Sequence, residues 1–500
     1  MGTRERWTRM KTLVRWRNLL SASLVVVLMG AGGPNGSDGP PIVEAAKQVD
    51  ADALRTLLDE GADVDARSPD GSTALLWASH RDDLTSVGLL LGAGADVDAA
   101  NDQGATPLWA ASQNGSVEVV ERLLGAGADP NKSLLLGETP LMVASRAGDP
   151  AVVELLLAHG ADANARGPRE QTPLMWAVGR RNSEAVALLL QHGADVDARS
   201  KVWENRMAHS PHPHPEHQRD FKHGGNTALM FAARLGDLES ARRLVEAGAD
   251  VNDLNASGFS VLAKAVFSNF GTLRVGDYGV GSDGRSWYLL GGQDRYPERF
   301  ADPELIDFLL EQGADPNLGS EEFTPLHAAV MHRNERVVNL LLAHGADPDL
   351  PLGAWTPLRR LSPQDFYFHR AWVGATPFWL AARFGTPEIL RSLADHGANP
   401  LFVHRGVYYA GGEGGNLSPR QEEVTTPLMA AVGMSQTGAA WVPRLNSADL
   451  EAEILEKVKL LVDVGADVNY ADEGGRTALD GAGVLEYDSV VEFLLERGAR

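Results

Sequence analysis

A Gly-Ala-Asp triplet returns every 33 residues, as Gly61-Ala62-Asp63, Gly94-Ala95-Asp96, Gly127-Ala128-Asp129, Gly160-Ala161-Asp162 and Gly193-Ala194-Asp195. Nothing else in the chain constrains the fold as much. A copy of this length is one supersecondary unit, too small to bury its own apolar face, so it must stack on its neighbours. Stacking also explains how 500 residues escape the size limit of a single compact core.

One copy, Gly94 to Asn131, shows the local logic. Thr106 is placed to cap a helix whose first residue, Pro107, needs no amide hydrogen and has its φ already set. That short helix runs to Gln113, and Gly115 supplies the left-handed residue that ends it. Ser116 then caps a second helix with its apolar stripe on Val119, Val120, Leu123 and Leu124, closed by Gly127. Ala95 to Ala105 is rich in Asp, Asn and Gly, as an extended turn requires. Neither helix would hold in isolation, so each pair depends on the next.

Thr106-Pro107-Leu108, Ala110-Ala111, Gly115, Val119-Val120, Leu123-Leu124 and Gly127-Ala128-Asp129 recur in phase over most of the chain, and in this the sequence resembles the ankyrin repeat family. The resemblance implies an all-α repeat solenoid of helix-turn-helix pairs with β-hairpin fingers, about eleven pairs long. It also implies binding to other proteins and carries no reaction.

The chain in order departs from this rule in places. Residues 1–33 run from basic (Arg4, Arg6, Arg9, Lys11, Arg15, Arg17) through an apolar stretch at Leu19–Met29 to small residues, the layout of a secretory signal. The apolar stretch is short for a membrane span, so cleaved export to a periplasmic or extracellular space is favoured over an N-terminal membrane anchor. Residues 34–41 form a linker and 42–199 the regular repeats, the first pair exposing Lys47, Asp50, Asp52 and Arg55. A His- and Pro-rich insertion fills 200–226. Repeats resume over 227–500, with added segments at 269–300, 350–375, 400–425 and 434–450. Phe270, Tyr278, Trp287, Tyr288, Tyr296 and Phe300 in one of these, and Tyr408 and Tyr409 in another, suit either recognition or docking back onto the stack.

The net charge of −22 opposes nucleic acid as the main partner, and the absence of cysteine excludes disulfides, thiol nucleophiles and Cys-ligated zinc. Gly279 to Gly284 matches a dinucleotide fingerprint but lacks the strand and helix that give it meaning. His209, His212, His214, His217 and His223 are dense enough to hold a metal ion, yet the interleaved prolines offer no orienting scaffold. The repeated Asp-x-Asp pairs (Asp63 and Asp65, Asp96 and Asp98, Asp195 and Asp197, Asp347 and Asp349) are read as ligands of finger amides rather than of calcium. No nucleophile sits in a recognisable catalytic frame, so no enzyme, cofactor or metal is expected.

The candidate partner-binding residues lie on the first helices: Trp77, His80, Arg81, Trp109, Gln113, Asn114, Arg146, Trp176, Arg180, Arg234, His327, Trp379 and Arg383. A tryptophan and arginine stripe of this kind is what interface hot spots use. Trp77 and Trp176 are expected to pack between repeats, whereas Trp109 and Trp379 are expected to be partly exposed. The arginines would make a locally basic groove on an acidic chain. The expectation is a monomeric, non-enzymatic binding module exported from a bacterial cell. The alternative is a metal-binding or hydrolytic accessory protein with its site in the insertions.

Overall fold

The computed structural model describes residues 39–208, 218–266, 302–319, 323–355, 368, 370–409, 420–434 and 447–500. Contacts divide them into two units that meet between Asp162 and Ala163.

The first unit contains α1 (Pro41–Gln48), α2 (Ala51–Asp59), α3 (Ala74–His80), α4 (Leu84–Gly92), α5 (Pro107–Asn114), α6 (Val117–Gly125), α7 (Pro140–Ala147) and α8 (Pro150–Ala158). First helices pack on first helices (α1, α3, α5, α7) and second on second (α2, α4, α6, α8). Thr73, Thr106 and Thr139 cap α3, α5 and α7, each accepting from the amide three residues on at 3.1–3.3 Å. Gly115 ends α5 at φ 72°, as its position requires. Val119, Val120, Leu123 and Leu124 are buried, so α6 presents the expected stripe. Ser116 departs from expectation: it stands at the N-cap of α6, but its side chain makes no cap bond. Asp83 and Asp149 make that bond in the neighbouring copies. In the first pair Pro41 already opens α1, and Lys47 lies over the Trp77 ring at 5.1 Å instead of reaching wholly into water.

The second unit continues with α9 (Pro173–Val178), α10 (Ser183–Gln191), β1 (Trp203–Ala208), β2 (Gln218–His223), α11 (Ala228–Leu235), α12 (Leu238–Glu246), α13 (Val261–Val266), α14 (Pro303–Glu311), α15 (Pro325–Met331) and α16 (Glu335–Ala343). After them come α17 (Pro377–Phe384), α18 (Pro387–Asp395), β3 (His404–Tyr409), β4 (Arg420–Thr425), α19 (Pro427–Ala431), α20 (Ser447–Asp463), α21 (Ala478–Val484) and α22 (Asp488–Glu496). The same two rows of helix contacts recur. Two of the expected insertions are ribbons: β1 pairs antiparallel with β2, Trp203 opposite His223, and β3 with β4, His404 opposite Thr425.

Residues 447–450, expected in an inter-helix loop, instead open α20, which runs 17 residues where the other second helices run nine. It ties three neighbouring copies together. Glu453 pairs with Arg333 at 2.7 Å, Lys457 reaches the Gly385 carbonyl at 3.4 Å, and Glu451 accepts from the Ser489 amide at 2.9 Å. From the 350–375 insertion, Phe368 is fully buried against Phe323 and His327, with ring centroids 5.1 and 6.2 Å away. The loop aromatics between 267 and 301, the fingerprint-like Gly279–Gly284, and residues 1–38 lie outside the described residues.

Candidate partner surface

The fingers are held by a ladder of short polar side chains. Asp65 accepts from the Asp96 amide and Asp98 from the Asp129 amide, at 3.0 and 3.1 Å. Where the position is Asn, the bond becomes two: Asn131 accepts from the Asp162 amide at 2.8 Å and donates to the Gly160 carbonyl at 3.0 Å. The second unit repeats the device through Asn164, Asn252, Asn317 and Asn469. These side chains bond finger amides, which satisfies backbone groups that an extended turn would otherwise leave bare. Arginine adds a second stitch: Arg67 donates to its own finger at Gly71 and to the next at Ala100, and Arg166 does the same at Glu170 and Arg199.

On the first helices two adjacent positions divide the tryptophans: Trp109, Trp379 and Trp176 differ from the expectation, whereas Trp77 is buried as expected. The third helical residue faces the neighbouring pairs. Trp109 is 2% exposed and packs with Leu76, Ala105, Ala110 and Val143. Trp379 is fully buried; its indole N–H donates to Thr425 Oγ1 at 3.2 Å and its ring lies 4.7 Å from that of His404. His327, in the same position, is also fully buried, and its Nδ1 accepts from the Thr324 amide at 3.1 Å. Burial drives its pKa down to about 4. None of these three side chains can touch a partner directly. The fourth position is more varied. Trp77 is 7% exposed, edge-on to His80 at 5.9 Å, whereas Trp176, expected in the core, is only half-buried.

The polar residues also separate. Arg81, Asn114, Arg180 and Arg234 are exposed at the ends of their first helices. The Asn114 amide donates to the His80 carbonyl, joining two adjacent helix ends. Gln113 and His80 are half-buried, and burial lowers the His80 pKa with help from Arg81. Arg146 faces Glu138 at 3.6 Å, and burial raises that carboxyl's pKa despite the arginine. Arg383 is largely enclosed; burial lowers its pKa, while Glu423 and Tyr487 oppose the shift. A uniformly basic groove is therefore not formed, because Arg146 and Arg383 face acids.

Sequence reading passed over three features. Leu135 and Leu136 stand 74% and 66% exposed on one finger of the first unit, where other fingers carry polar turn residues. Trp203 stacks on His223 at the base of β1 and β2, their centroids 5.6 Å apart. Lys264 sits in α13 at a position that is apolar in most other copies. The leucines and Lys264 were detectable by aligning the copies and asking which residue broke the column; Trp203, in an insertion, has no column. His209, His212, His214 and His217 lie outside the described residues, and among those described no group of His, Asp or Glu is arranged to hold a metal.

A family model of ankyrin repeats in three copies matches residues 42–134, 127–200 and 299–351, and a single ankyrin repeat model matches 224–256. Among solved structures, the human ASB11 ankyrin repeat domain shares 30% identity over 45% of this chain and 90% of that one, with a TM-score of 0.37. No curated protein matches.

Proposed function

This chain belongs to the ankyrin repeat family, and from that premise we propose that it is an exported, non-catalytic binding module. Ankyrin repeats are protein-interaction modules. The partner would be a protein held by the exposed ends of the first helices and by the fingers. The observation that carries this reading is the separation of roles on the first helices: the third position is sealed in the core, while Arg81, Asn114, Arg180 and Arg234 are exposed at the helix ends. Interfaces draw on exposed arginine and amphipathic aromatics rather than on residues already committed to packing. Export is supported by the basic, apolar, then small order of residues 1–33. No helix among the described residues is long and apolar enough to cross a membrane.

The test is affinity capture with the full chain and with a variant carrying Arg81→Glu and Arg180→Glu. The variant should keep its circular dichroism and lose the captured protein. Equal capture by both would refute the assignment. Secretion is tested by fusing residues 1–33 to a reporter active only outside the cytoplasm; an inactive reporter would remove export from the account.

A further inference from the structure

The finger between α6 and α7 breaks the pattern of the others at its tip. Three residues before the capping Thr or Ser, other copies place Asp70, Gln103, Arg169 and Ser257, where this one has Leu136. One residue earlier, Pro69, Asp102, Pro168 and Ala256 correspond to Leu135. Leu134 turns inward, against the core that holds Leu76, Trp109 and Val143. The next two do not: Leu135 is 74% exposed and Leu136 66%. Aliphatics scattered singly over a surface are ordinary, but two in succession on a turn that other copies build from turn formers are not.

The backbone beneath them is fixed from both sides. The Leu135 amide donates to the Gln103 carbonyl of the preceding finger at 3.0 Å, and the Leu134 amide to the Glu138 carbonyl at 3.0 Å. Gly104, at φ 86°, lets the two fingers touch: a Cβ there would lie 3.1 Å from the Leu134 Cα and the Leu135 nitrogen. Side chains carried on such a support lose little freedom when they dock. The charges beside them also have a direction. Asp102 is exposed, next to the residue whose carbonyl holds Leu135, and its own amide donates to the Asp70 carbonyl at 3.1 Å. The cations of these fingers are turned to the backbone instead. Lys132 donates to the Asp98 carbonyl at 3.1 Å, and Arg67 to the carbonyls of Gly71 and Ala100.

We propose that Leu135 and Leu136 pack against the apolar side chains of a basic segment of the protein partner, whose lysine or arginine meets Asp102. This rests on the reading of the chain as a protein-binding module and names the chemistry of what one finger takes. Two rigidly presented leucines supply the apolar anchor, and the bordering carboxylate selects the sign of what surrounds it. Charge complementarity extends to the whole chain, whose net charge is −22. An anionic lipid surface would instead meet Asp70 and Asp102 as like charges.

The experiment is a selection. Displayed random peptides are first depleted on the full chain carrying Leu135→Ser and Leu136→Ser, then selected on the native full chain. The survivors should combine Lys or Arg with aliphatic or aromatic residues, and the double variant should bind them weaker by roughly tenfold or more. Asp102→Asn should weaken them by roughly two- to fivefold and reduce the salt dependence of the remaining affinity. Both leucines already face water, so the double variant should keep its melting temperature, and lost binding cannot be ascribed to unfolding. No survivor after depletion, survivors rich in Asp or Glu, or leucine-dependent sedimentation of the chain with phosphatidylcholine and phosphatidylserine vesicles would overturn the proposal. If that happens while Arg81→Glu with Arg180→Glu still abolishes capture, only this inference falls. If capture also survives, the broader reading falls with it.

Discussion

Two neighbouring positions on a short helix decide what each tryptophan does. Trp109 and Trp379 occupy the third position and are sealed between copies, so truncation removes a large buried surface. Trp109→Ala should cost about 3–5 kcal/mol in urea unfolding, whereas Arg81→Ala should stay within about 0.5 kcal/mol. A small effect at Trp109 would contradict its burial. His327 occupies the same position and supplies a pH dependence. Its folded pKa of about 4 lies below the unfolded value of 6.5, so the unfolded chain binds more protons between these limits. Stability should therefore fall as pH drops from about 6.5 to 4, by about 3 kcal/mol from this residue. His327→Met, which places there the side chain found at Met142, Met175 and Met230, should flatten that part of the curve. An unchanged slope would remove the assignment. Reading exposure from sequence went wrong here for a definite reason. A polar His in the column suggested water contact, but its Nδ1 accepts from the Thr324 amide in the helix cap that it completes.

At the scale of the element, the helix pairs, their Thr-Pro openings and the Asp and Asn ladder of the fingers were legible because each copy repeats the same local chemistry. The insertions were legible only as interruptions of the period. That two of them are paired ribbons, and that another ends in the lengthened start of α20, depends on contacts between residues far apart in sequence. Arg333 and Glu453, separated by 120 positions, are the clearest case. Removing the charge at Glu453 leaves both Arg333 and the buried Lys457 without their shared carboxylate. Glu453→Gln should cost about 3 kcal/mol near pH 7, read from denaturant midpoints. A neutral effect would mean that α20 is held by its apolar face alone. The burial of Lys264 was equally hidden: a lysine in a helix reads as solvated until the fold places it in a column that most other copies keep apolar.

For the whole molecule, repetition sets the energetics. Pairs in each unit are stabilised chiefly by the pairs beside them, so unfolding is expected to proceed by segments rather than as one transition. The same arrangement leaves the ends of the first helices and the fingers repeated along each unit, committed to no core. That surface is the central claim. Hydrogen–deuterium exchange of the full chain, alone and with its captured partner, tests it most directly. The account predicts new protection at fingers and first-helix ends, around residues 79–82, 113–116, 179–182 and 233–236, with the second helices unchanged. Protection confined to the outer faces of the second helices would contradict it.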